Sequence, residues 1–379
     1  MQARRRLAFA AVLAASALAG FGLAGCGSVG YLAQSVRGHF SLLNDARPVP
    51  QWIDAAETPD KLRERLVLSQ RIRDYAVSEL KLPDNGSYRR YADLHRPAAV
   101  WNIVAAPELS LELKTWCFPV VGCVGYRGYF DKAKADELAE ALRAEGYEVA
   151  VYGVPAYSTL GWFDDPLLNT FIHYPEGELA RLIFHELAHQ VAYAKGDTTF
   201  NESFATAVER LGGWRWLGTH ASAQAREEYV RFDARRQEFR ALTLGYRARL
   251  QTLYRSRVAP DEMRRRKAEL FGQLRADYET MKRERWNGYA GYDGWFTRAN
   301  NASLGVLAAY NELVPGFERL FAAEGRDFAR FYDAVKRLAE LPKEERRRAL
   351  QPPQSAAGAK MEHTGSVAET SQQSSEAKP

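Results

Sequence analysis

Apolar positions along the chain change period several times, and the changes mark its elements. Over 57–81, Leu62, Leu66, Leu68, Ile72, Tyr75 and Leu80 recur at mixed helical spacing, which predicts a helix. Pro83-Asp84-Asn85-Gly86 is a turn signal. Residues 87–130 carry β-like runs, among them Val100 to Val104 and Leu109 to Trp116. Asp131 to Glu145 reads as a helix with Ala133, Leu138, Ala141 and Leu142 on its inner face, closed by Gly146. Glu148 to Val154 reads as a strand, followed by a mixed polar and aromatic run from Ala156 to Phe163. Pro175 and Glu176 open a helix that the pattern extends to about Ala194, since proline and acids suit a first helical turn. After Gly196-Asp197 a second helix begins near Asn201.

Residues 222–286 are charged and helical in pattern, with a break at Pro260 that predicts a helical hairpin. The Gly- and Tyr-rich stretch from Trp286 to Arg298 reads as a loop, and two helices follow at about 299–312 and 316–340. From 342 to 379 the chain loses its apolar period and reads as a disordered tail. The expected fold class is α+β, with a small N-terminal sheet and a mostly helical C-terminal half in one domain over 51–341.

The N-terminus follows a different logic. Arg4, Arg5 and Arg6 precede an apolar, Ala-rich run to Leu23, and Leu23-Ala24-Gly25-Cys26 follows. This reads as a signal segment over 1–25. The string before Cys26 resembles a bacterial lipobox, which implies lipidation of Cys26, with 26–50 as anchor and tether. The membrane is then a partner through the lipid. By resemblance to bacterial lipoprotein sorting rules, Gly27 after the cysteine leans towards the outer membrane, with the chain facing the periplasm. Without the three arginines, 49 basic residues face 47 acidic ones, so the net charge falls from +5 to +2 and nucleic acid is not indicated as a partner. Cys117 and Cys123 remain. An oxidising envelope permits a disulfide across the turn-forming Pro119 and Gly122; two free thiols are the alternative.

The chemistry concentrates in His185-Glu186-Leu187-Ala188-His189. On a helix, residues four apart share a face, so His185 and His189 can present two imidazoles to one Zn²⁺. Glu186 lies about 100° round the helix and can act as base toward a zinc-bound water. A third ligand must come from elsewhere. Glu202 is the leading candidate, because a turn through Gly196 to Thr199 would bring the first turn of the next helix back beside the imidazoles. Glu209, on the same helical face, and Asp197 are alternative third ligands; Glu209 better suits a partner for a histidine N–H, and Asp197 a cap or a turn.

The string His185 to His189 followed by Asn201-Glu202-Ser203-Phe204-Ala205 resembles the gluzincin metallopeptidases. Cys117 to Cys123, Tyr126 to Phe130, Ser158 to Phe163 and Asn300-Asn301-Ala302 more closely resemble the bacterial predicted-aminopeptidase family of envelope lipoproteins. That resemblance implies a zincin-like fold around a zinc helix, and a zinc peptidase with His185, His189 and Glu202 as ligands, Glu186 as catalytic base and a peptide as substrate. The chain has no G-x-M-E-N string, with which classical gluzincin aminopeptidases hold the substrate amine. An endopeptidase of envelope proteins and a non-catalytic, zinc-stabilised peptide-binding lipoprotein therefore stay open. Leu160, Gly161 and Trp162 are expected to line substrate as an edge strand. Tyr310 is the first candidate for an oxyanion donor, with Tyr292, His173 and Arg298 as alternatives.

Overall fold

The strands are mostly short, because the chain rarely sustains a two-residue period for more than a few positions, and they fall before the long run of helices. The computed structural model describes residues 34, 38, 42–118, 122–156, 159 and 163–351. Its first elements are β1 (Arg47–Pro48), α1 (Val49–Asp54), α2 (Asp60–Ser78) and β2 (Arg90–Ala92). The small sheets continue with β3 (Val100–Pro107), β4 (Trp116–Phe118), β5 (Gly122–Val124) and β6 (Arg127–Tyr129). Then come α3 (Lys132–Ala144), β7 (Tyr147–Val154) and β8 (Leu167–Leu168). The rest is helical: α4 (Glu176–Ala188), α5 (Thr198–Thr219), α6 (Ala223–Tyr254), α7 (Pro260–Glu284), α8 (Asp293–Arg298), α9 (Asn301–Asn311), α10 (Val314–Ala323), α11 (Phe328–Glu340) and α12 (Lys343–Leu350). The class is α+β. Among the described residues, no helix is long and apolar enough to cross a membrane. Cys26 and the apolar run before it lie outside the described residues.

Strand β3 is the centre of an antiparallel sheet ordered β6-β3-β7, with Val100 opposite Val154 and Pro107 opposite Tyr147. Its alternating side chains meet different partners. Ile103 and Ala105 pack with Ala135, Ala139 and Leu142 of α3, and Val104 and Ala106 pack with Ala302 of α9. A strand covered on both faces has little reason to alternate polar with apolar residues, and β3 is buried almost throughout. The buried positions of α3 are Ala135, Ala139 and Leu142, whereas Ala133 and Ala141, read from the sequence as inner, are exposed. The main core joins α2, α4, α5, α10 and α11. A second cluster, including Phe239, Leu250, Phe271, Leu274 and Tyr278, holds the α6–α7 hairpin together, and Pro260 opens α7 where it costs no hydrogen bond.

Several boundaries differ from the sequence pattern, each for a local reason. The tether expected over 26–50 already contributes to the core: Leu42, Ala46 and Val49 are buried, and β1 pairs with β2. The tail expected from 342 begins instead with α12, whose Arg346 is buried against Asp197 at 3.0 Å. A charged segment with no apolar period is fixed there by ion pairs of Arg346 with Asp197 and Arg347 with Glu312, and by buried Leu350. The single helix expected over 316–340 is split where Gly325 and Arg326 turn left-handed (φ 71° and 59°), and Asp327 restarts it by accepting from the Arg330 N–H. The run from Leu109 to Trp116 is strand only at Trp116, and the loop expected over 286–298 ends in α8.

Candidate metal centre

Helix α4 is set by its apolar face: Leu179, Ile183, Phe184 and Leu187 are fully buried. Glu176 and Glu178 occupy its first turn, where the helix dipole favours them. That packing leaves His185 and His189 one turn apart on a shared face, with their Nε2 atoms 3.2 Å apart. The helix ends at Ala188 with His189 as its cap, not near Ala194. Beyond it the backbone tightens into i to i−3 bonds, Gln190 N–H to Leu187 and Val191 N–H to Ala188. The chain then doubles back through a turn that side chains hold closed. Asn201 accepts from the Ala194 N–H at 2.7 Å and donates to its carbonyl at 3.0 Å, and Asp197 caps α5 by accepting from the Phe200 N–H. Helix α5 thereby returns alongside α4.

Glu202, in the second turn of α5 rather than the first, comes with it. Its Oε2 lies 3.4 Å from His185 Nε2 and 3.7 Å from His189 Nε2. One ligand atom from each of the three residues lies within 4.8 Å of the others. Two turns further on, Glu209 Oε2 lies 3.1 Å from His185 Nδ1 and so meets the ring nitrogen that faces away from the cluster. Glu209 is in turn paired with Arg181, a buried arginine four residues before His185. Arg181 also approaches Asp233 at 3.8 Å and Glu178 at 3.9 Å, and Arg236 pairs with both of those acids. A charge network therefore runs from His185 to helix α6.

Electrostatics differ sharply among these acids. Burial alone would raise Glu209, but Arg181 and the bond to His185 outweigh it and hold the carboxyl down at about 2. Burial pushes Glu186 up to about 7, against the pull of His185. Burial also holds His189 down at about 4, which favours the neutral ring a metal ligand must have. Among the described residues, no lysine or arginine pairs with Glu186 or Glu202, whereas Glu178, Glu209 and Asp233 all have arginine partners. The negative charge left over sits beside the two imidazoles. A donor set of two nitrogens and one oxygen with that surplus fits a divalent cation such as zinc.

The walls of the site come from distant segments. Cys117 and Cys123 are joined by a disulfide across β4 and β5, with Cα atoms 3.8 Å apart. The start of β5 abuts the turn between α4 and α5: a Cβ on Gly122 would sit 3.0 Å from the Gly196 nitrogen. Gly122 also has φ 79°, so glycine is required there twice over. The phenols of Tyr126, Tyr152 and Tyr193 lie within electrostatic reach of Glu202. Asn301, fully buried, donates to the carbonyls of Pro107 and Glu108 and accepts from Tyr254, so the Asn300-Asn301-Ala302 string fastens α9 to the sheet and to the hairpin.

Leu160, Gly161 and Trp162 lie outside the described residues. Tyr310 falls on α9. Tyr292 stacks on Phe239 at 4.4 Å within the hairpin cluster. The sequence reading missed Arg181; its one signal is a charged residue four positions before His185 on an otherwise apolar helix, which does not identify Glu209 as its partner.

Comparison with curated proteins and with solved structures finds no match. A family model described as "Putative aminopeptidase" matches residues 30–350, which takes in every element above. That family supports a peptidase role for the chain. The chain belongs to the family described as "Putative aminopeptidase".

Proposed function

We propose that this protein is a zinc-dependent aminopeptidase of zincin-like arrangement, in which His185, His189 and Glu202 hold one zinc ion and Glu186 is the general base. One observation carries the reading: two imidazole nitrogens 3.2 Å apart converge with a carboxylate oxygen in buried surroundings. Three protein ligands leave a position for water and substrate, as catalytic zinc sites do. Bound there, zinc would lower the pKa of a coordinated water and polarise the scissile carbonyl. Glu186 takes a proton from the attacking water and returns it to the leaving amine. Glu209 fixes the tautomer and orientation of the His185 ring through Nδ1, and Arg181 holds Glu209 ionised. The lipobox-like string ending at Cys26 supports attachment to the envelope membrane by lipid, on the periplasmic side and in the outer membrane. A Cys26→Ser chain that still fractionates with membranes would contradict that attachment.

The test of the chemistry is Glu186→Gln. The variant should retain zinc and lose hydrolysis of a peptide panel by a factor of about 100 or more. Full activity would remove Glu186 from the reaction. Free peptides should be cleaved and N-acetylated ones spared; equal cleavage of both would make the enzyme an endopeptidase.

A further inference from the structure

Asp233 lies on α6, in the helical hairpin, outside the two helices that carry His185, His189 and Glu202. It is nonetheless buried, and its carboxylate is held from its own helix. Gln237 donates to Oδ2 at 2.6 Å, and Arg236 Nη1 donates to Oδ1 at 3.4 Å. At spacings of three and four, these residues share one face of α6. Glu178 and Arg181 of α4, also three apart, meet that face. Arg236 Nη2 donates to Glu178 at 2.5 Å, and Asp233 Oδ1 lies 3.8 Å from Arg181 Nη1.

Taking several charges out of water costs desolvation that apolar packing would avoid, so this cluster calls for a use other than stability. Room is cleared for it: a Cβ on Gly213 of α5 would sit 2.8 Å from Arg181 Cγ. The Arg181 guanidinium is a rigid plane, and the two ends of its fork face different acids. Nη2 bonds to Glu209, whose other oxygen lies 3.1 Å from His185 Nδ1. Nη1 has no hydrogen-bond partner among the described residues and faces Asp233 at 3.8 Å and Glu178 at 3.9 Å. A single hydrogen bond at Nη2 fixes the distance to Glu209 but leaves the plane free to swing. The attraction at Nη1 sets the swing. Arg236 approaches Glu178 more closely than Asp233, so Asp233 keeps more of its charge for Arg181.

We propose that Asp233 is a positioning residue for His185, holding Arg181 so that Glu209 presents its oxygen to the His185 ring, and that the hairpin thereby sets the affinity of the metal centre. The proposal rests on His185, His189 and Glu202 binding zinc. Its test is the zinc dissociation constant, read by competition with a chromophoric chelator, in wild type, Asp233→Asn, Glu209→Gln and the double variant. Asp233→Asn should weaken zinc binding about threefold or more while Glu209 is present. Once Glu209→Gln has cut the link, the same substitution should change the affinity little. A residue that only supports the fold would weaken binding equally in both backgrounds, and that result would overturn the proposal. Unchanged affinity in Asp233→Asn would overturn it too. Should Asp233→Asn not fold, Asp233→Glu, which keeps the charge but moves the carboxylate, carries the same comparison. Folded wild type that binds no zinc would instead remove the metal site itself. Zinc bound equally well by wild type and Asp233→Asn would leave that site in place and dismiss Asp233 alone.

Discussion

At the scale of single residues, the site is a contrast between acids that have a basic partner and acids that do not. Glu209 is matched by Arg181 and holds the outer nitrogen of His185. Glu209→Ala should weaken zinc binding about 10- to 100-fold, read by competition with a chromophoric chelator. Unchanged affinity would mean that the His185 ring is held by packing alone. Asp165 is a different case. Burial raises its carboxyl to about 6, despite the two bonds it accepts from Thr159. A carboxyl whose folded pKa lies above its unfolded value contributes stability below about pH 4 that is lost as pH rises through 6. The stability of wild type relative to Asp165→Asn should therefore fall by about 2–3 kcal/mol between pH 4 and pH 7 in urea titrations. A difference that stays flat with pH would contradict this assignment. The pairing of His185 with His189 is legible in the sequence because helical geometry alone decides it. The role of Arg181 was not read there, because it depends on a partner 28 positions away, Glu209.

At the scale of elements, periodicity located most helices but misjudged their ends. Apolar spacing continues through Val191 and Ala194, so α4 looks longer than it is. Its end is set by Gln190 and Asn201, whose amides bond to loop and turn atoms and are invisible to a hydrophobic pattern. Helix α12 shows the opposite failure. Its residues are almost all charged, and nothing in their spacing announces a packed segment. Arg346 nonetheless lies buried between Asp197, the cap of α5, and the carbonyls of Ala339 and Leu341. Removing one partner of a buried ion pair leaves the other uncompensated. Arg346→Ala should lower the free energy of unfolding by about 3 kcal/mol or more, measured by denaturant titration. Because Asp197 also starts the helix that bears Glu202, zinc affinity should fall with it. A variant as stable as wild type would make α12 a surface appendage.

At the scale of the whole molecule, the two helices that carry His185, His189 and Glu202 are braced from three directions. The disulfide hairpin abuts the turn between them, the 83–88 loop grips the end of α4, and helix α6 reaches His185 through Asp233, Arg181 and Glu209. The α+β class and the helical hairpin could be read from pattern alone, whereas this convergence is a property of tertiary structure. The central claim is the zinc ion itself. Elemental analysis of folded, dialysed protein tests it most directly, with wild type and His189→Ala measured side by side. The account predicts close to one zinc per wild-type chain and a large loss in the variant. Folded wild-type protein without zinc, or equal zinc in both, would contradict it.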